Sequence, residues 1–206
     1  MQRADWLKLS ARAVVAWLGL SALGIYFSAP LAELMLPLFR FVLLSVAPEY
    51  APSLKLVADN HDVLIQLEAW LLQPLPLGGG QQIPAGLALT TGTHLMHILV
   101  PVVIEGSLLM AWPTRRWVER AALLVLGVPT SIFVVGLTGP FVLLGTLEIQ
   151  LQDMPQQAHV VRHESLTLTW MIFSEMGGRW VLAVTAAILC IHVNKVFFGT
   201  VGQSTG

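Results

Sequence analysis

Four apolar runs dominate the chain, each close to the length a helix needs to cross a hydrocarbon layer. Residues 13–29 lie between Arg12 and Pro30, and 95–112 end at Pro113. Residues 121–147 carry Gly127, Pro129, Gly136 and the Gly139-Pro140 pair, and 180–198 follow Arg179. At 1.5 Å per residue, about 20 helical residues span a bilayer core of about 30 Å. Hydrophobic residues make up 55% of the 206 and charged residues 11%, with a mean hydropathy of +0.73, so polar sequence elsewhere does not offset these runs. The expected fold is mainly α and integral to a membrane, with about four transmembrane helices.

The first run has a competing explanation. Arg3, Lys8 and Arg12 before it and the small Ser28 and Ala29 at its end also fit a cleavable signal peptide. The run is long for that role and Pro30 hinders cleavage after Ala29, so an uncleaved anchor is expected. Residues 31–47 stay apolar, but Glu33, Pro37 and Arg40 recur at helical spacing and share one side. Joined straight to the first run they would make a rod of about 50 Å. A break near Pro30 or Pro37, leading into an interfacial amphipathic helix, is therefore expected.

Beyond residue 53 the period changes from helical to two. Leu54 and Leu56, then Val63, Ile65 and Leu67, alternate with Lys55, Gln66 and Glu68 around Asp59, Asn60, His61 and Asp62, which reads as a β-hairpin. Residues 75–86, with Pro76, Gly78, Gly79, Gly80 and Pro84, read as a loop, and 87–91 as a third strand. Three short strands need a covering surface, which the 31–47 helix or the membrane could supply. The predicted organisation is an N-terminal helical unit at 1–47 and a small β-rich extracytoplasmic insertion at 48–94. A three-span region at 95–206 follows, with an external loop at 148–179.

Orientation follows from basic residues near helix ends. Arg115, Arg116 and Arg120 fall within one short connection, and Arg3, Lys8, Arg12 and Lys195 fall on the same side of the predicted spans. The expectation is a multi-pass protein of a bacterial inner membrane with both termini cytoplasmic. Trp6, Trp17, Trp112, Trp117 and Trp180 lie mostly near helix ends, where indole rings anchor at the interface. The formal net charge of -1, with dispersed basic residues, argues against a nucleic-acid partner and leaves the lipid bilayer as the first one.

The chemistry-bearing residues are sparse. Cys190 is the one cysteine, so an intrachain disulfide and a cysteine metal cluster are excluded. Cys190 and His192 point to different sides of a helix, and no nucleophile and base fall at one depth. Gly78 to Gly80 lead into Gln81 and Gln82 rather than Lys-Ser or Lys-Thr, which does not make a phosphate loop. The chain is read as a non-enzyme without a cofactor.

Glu105 lies inside the second span, about 15 Å from the basic boundary. A carboxyl there is tolerated when protonated, paired or facing water, which makes it a functional candidate. The structural alternative is a hydrogen bond to Thr130, Ser131 or Thr138 of the third span. His94 and His97, at i and i+3, and His159 and His163, at i and i+4, are the candidate metal ligands if each pair shares a helix face, although interfacial polar residues are the simpler reading. Glu175 and Arg179 are one helical turn apart and can pair if the last helix begins early.

One resemblance adds to this. The first span ends in Tyr26, Phe27, Ala29 and Pro30, an apolar helix follows, and Ala47-Pro48-Glu49-Tyr50 leads into the β-rich segment. A later span closes on Ala111-Trp112-Pro113 with Arg115 and Arg116. Over roughly residues 10–150 this order resembles the small accessory membrane proteins that accompany exosortases, in particular the exosortase H-associated type. The resemblance implies an accessory or assembly subunit for protein sorting that binds a larger membrane partner or its substrate. It implies no catalytic residues, and the polar 148–165 segment with its histidine pair departs from it. A small transporter or metal-handling protein using Glu105 and the outer histidines is the alternative. The sequence sets no homo-oligomeric state.

Overall fold

The computed structural model describes residues 3–59, 62–78, 81–157 and 165–201. It is mainly helical with a small antiparallel sheet. Helix α1 (Arg3–Tyr26) and α2 (Ser28–Val46) are followed by strands β1 (Tyr50–Asp59) and β2 (Asp62–Leu71). Then come β3 (Leu75–Gly78), β4 (Gln81–Ile83) and β5 (Ala88–His94). Helices α3 (Leu95–Ala111), α4 (Trp117–Gln157), α5 (Leu166–Phe173) and α6 (Arg179–Val201) complete the chain, with a π-helical turn, Ser174–Gly178, between the last two.

The chain divides into two compact units. One comprises Met1–Tyr26, Leu99–Val135 and Arg179–Gly206, and its described residues are mainly helical. Its core joins Leu109, Leu123, Ala187, Cys190 and Ile191, with Leu108, Trp112 and Leu126 packed against them. Gly127 lets α3 and α4 approach closely, because a Cβ there would run into the Leu109 side chain. Small residues at such crossings are what apolar helices use when burial against lipid gives no net gain. The outward faces stay apolar: Val15, Leu18, Ile25, Ile188 and Leu189 are all exposed.

The second unit comprises Phe27–Ile98 and Gly136–Gly178 and contains the sheet, in the order β1-β2-β5. Register pairs Leu54 with Leu67 and Leu56 with Ile65, and pairs Ile65 with Thr93 and Leu67 with Thr91. Ile65, Leu67, Ala69 and Leu71 therefore point to one face and are all buried, the period-two pattern read from the sequence. That face is covered by α2, which packs on β1 and β2. Phe39 and Leu43 of α2 are buried, while Glu33, Pro37 and Arg40 form the exposed stripe expected of them. Leu144 and Leu147 of α4 complete this layer beside Leu43, Tyr50 and Leu67.

Several elements differ from the sequence reading. The break between the first two helices falls at Phe27 rather than at Pro30 or Pro37. Pro30 sits in the first turn of α2, where its missing N–H is not needed by the helix. By length and composition α2 is itself a candidate span, together with α1, α4 and the Leu166–Phe198 stretch. Among the described residues four helices are thus long and apolar enough to cross a membrane, α2 among them, and α3 is a shorter apolar helix. Residues 95–111 form α3, whose 17 residues span about 26 Å, near the lower limit of what crosses a hydrocarbon core.

Residues 75–86, expected as a loop, contain the short hairpin of β3 and β4, with an irregularity between Pro76 and Gly78. The described residues of the external loop expected at 148–179 are also largely helical. Helix α4 runs for 41 residues through Gly139-Pro140 to Gln157, because Leu147 and Leu151 recur at i, i+4 on a buried face among the polar residues. Next to Pro140, where the helix loses one N–H, the indole Nε1 of Trp170 donates to the carbonyl of Leu137 at 2.7 Å and ties α5 to α4.

Candidate functional site

Glu105 is the most completely enclosed charged residue described, with no exposed surface. The hydroxyls of Thr130 and Ser131, adjacent on α4, each donate to one of its carboxyl oxygens, Ser131 at 2.9 Å. These are two of the three partners the sequence proposed. Thr130 also lies 3.0 Å from the carbonyl of Gly127 and 3.3 Å from the Cys190 sulfur. Glu105, Thr130 and Cys190 thus form one polar chain through α3, α4 and α6. A single hydroxyl proton cannot serve Glu105 and the helix carbonyls together, so Thr130 is the junction at which the hydrogen bonds are shared.

Cys190 was missed as a member of this cluster because sequence reading considered only its relation to His192. The usable signal was the inward face of α6: Ala183, Ala187, Cys190 and Asn194 recur at spacings of four, three and four, and all are buried. What the cluster can do chemically is hold three helices in register. Its carboxyl is engaged by two hydroxyls, and among the described residues no ion pair with it is seen.

The histidine pairs fare differently. His94 ends β5 and His97 lies in the first turn of α3, so the two are not on one helix, although their rings lie 5.9 Å apart, edge to face. Their i, i+3 relation on a helix is corrected by the strand reaching His94. His159 and His163 lie outside the described residues, as does His61. Among the described residues, no group of three or more His, Cys, Asp or Glu side chains gathers to hold a metal.

Glu175 and Arg179 flank Gly177, whose φ of 109° interrupts the helix. Glu175 lies in the π-helical turn and Arg179 begins α6. Glu175 is exposed and Arg179 is buried.

Two further features concern recognition. Strand β1 is an edge strand of ten residues, bonded to β2 on one side. At the opposite edge, Gln150 of α4 donates to the Thr90 carbonyl of β5 at 3.0 Å and occupies one acceptor there. Among the described residues no strand or side-chain hydrogen bond does the same for the free edge of β1 between Ala51 and Val57, while the Lys55 ammonium reaches the other way, to Glu68 of β2 at 2.8 Å.

The second feature is a basic end on the helical unit. Arg120 folds back onto the end of α3, its guanidinium donating to the carbonyls of Met110 and Trp112 at 3.1 and 3.2 Å and to the Thr114 hydroxyl at 3.2 Å. Carbonyls at a helix C-terminus lack partners, and a cation there is favoured. Thr114 borders two clefts, one shared with Arg12 and Arg120 and one with Arg115 and Lys195. Early α1, the α3–α4 connection and late α6 therefore meet at this end.

Comparison with protein-family models, curated proteins and solved structures finds no match.

Proposed function

We propose that the chain is a non-enzymatic accessory or assembly subunit of a membrane protein-sorting system, and that it binds a larger membrane partner or the tail of that partner's substrate. The observation that carries the reading is the open edge of β1. An unpaired strand edge presents a row of N–H and C=O groups that an extended peptide can join, with main-chain hydrogen bonds giving affinity. Pro52 and Lys55 on that edge restrict indiscriminate pairing, as edge strands commonly do. The apolar helices anchor the sheet, and the exosortase-associated resemblance supplies the class of partner.

In this reading the protein is multi-pass in a bacterial inner membrane, with α1, α3, α4 and α6 crossing, α2 lying along the outer interface, both termini cytoplasmic and the sheet outside. The meeting of Arg12, Arg115, Arg120 and Lys195 at one end of the helical unit supports that orientation, because basic helix ends are retained in the cytoplasm. Glu105 serves helix pairing rather than transport. Affinity purification from native membranes in mild detergent tests the proposal. Co-recovery of a multi-spanning protein is expected, and repeated recovery of this chain alone would count against it.

A further inference from the structure

The cleft between the α3–α4 connection and late α6 has a volume of about 270 Å³. Arg115 and Lys195 bring two positive charges to it, and Glu119 brings one negative charge. Glu119 is turned to the backbone, accepting the Arg115 N–H at 2.9 Å. The Lys195 ammonium lies 4.8 Å from the centre of the Trp112 ring, which holds it at the mouth without using its hydrogen-bond donors. Trp112 and Phe198 supply apolar walls.

A second observation comes from Asn194, on the wall of the same cleft. It is only 6% exposed, and its Oδ1 has no hydrogen-bond donor. A buried carboxamide oxygen left unpaired is costly, of the order of 1–3 kcal/mol, and so points to a ligand that donates a hydrogen bond.

We infer that this cleft binds the headgroup of an anionic phospholipid bearing hydroxyls, a phosphoglycerol group. The phosphodiester sits against Lys195 and the Arg115 guanidinium, and a glycerol hydroxyl donates to Asn194 Oδ1. Basic pockets between membrane helices bind lipid headgroups in this way, and a tryptophan at the helix end sets the cleft at headgroup depth. The inference requires the helical unit to lie in a bilayer but not that the protein serves sorting.

The test uses the full chain in nanodiscs, with bound lipid read by native mass spectrometry. In phosphatidylcholine discs titrated with phosphatidylglycerol, the wild type should retain phosphatidylglycerol. The Arg115→Gln/Lys195→Gln variant should bind it about thirty-fold more weakly. Phosphatidylmethanol carries the same charge without the hydroxyls. Wild type should prefer phosphatidylglycerol to it, and Asn194→Leu should lose that preference while keeping charge-dependent binding. Unchanged thermal unfolding of each variant in pure phosphatidylcholine shows that the fold is intact. Equal retention by wild type and the double variant overturns the site. Displacement of the lipid by inorganic phosphate at comparable concentration would assign the cleft to free phosphate and overturn the lipid headgroup. A wild type without preference between the two anionic lipids overturns the role of Asn194.

Discussion

Ser131 of α4 donates a hydrogen bond of 2.9 Å to Glu105 of α3, at a position with no exposed surface. With Thr130 donating to the other oxygen, this fixes the rotation of α4 against α3. Apolar packing alone is weakly directional, so a carboxyl and two hydroxyls that meet at only one rotation give the helix pair its register.

Glu105→Gln keeps a carbonyl oxygen for one hydroxyl and an NH2 for the other, and should change stability by less than about 1 kcal/mol. Thr130→Val combined with Ser131→Ala leaves the carboxyl without either partner and should cost about 1–3 kcal/mol. Thermal unfolding in detergent distinguishes them. Equal destabilisation by the two changes would mean that the carboxyl acts through something other than these hydroxyls.

Gly139 faces the fully buried ring of Phe39, and a Cβ at that position would overlap three ring atoms. Gly139→Ala should therefore destabilise the sheet-bearing unit by about 1–3 kcal/mol. Phe39→Leu in the same chain should recover part of the loss, because a smaller side chain vacates the overlap. Additive losses in the double variant, read from denaturant midpoints, would contradict the contact.

The sheet offers a direct comparison of charge with burial. The Lys55–Glu68 pair is short, but the lysine side chain is 61% exposed, so solvent screening leaves it with little net effect. Lys55→Ala should shift stability by less than about 1 kcal/mol. Ile65→Ala, at a fully buried position in the middle strand, should cost about 2–5 kcal/mol. Protease resistance of the sheet region ranks the two, and a larger effect at Lys55 would reverse the argument.

Much of this architecture was legible in the chain. The alternation around Ile65 and Leu67 located the hairpin and its buried face, and Glu33, Pro37 and Arg40 marked the exposed side of α2. Thr130 and Ser131 were identifiable as partners for Glu105 because few polar groups lie at that depth in the third run. The errors came where local composition gave a weak signal. Gly139-Pro140 reads as an interruption, yet α4 continues, with Trp170 bonded to the carbonyl of Leu137 one turn away. Polar residues from 148 onward read as loop, because the buried Leu147 and Leu151 signal a helix only at i, i+4 spacing. Cys190 and Asn194 carry no motif. Their significance depends on which face of α6 turns inward, and that is set by tertiary packing.

The most direct test of the proposed role is site-specific photocrosslinking in native membranes from Val57, an exposed residue on the open strand β1. Trp117, at 79% exposure on the basic helical unit, serves as the reference position. Mass spectrometry of the adducts should identify one membrane protein, or the tail of its substrate, joined at residue 57 and not at residue 117. Adducts from residue 57 to lipid alone, or to the same scatter of proteins as from residue 117, would contradict recognition through the β1 edge.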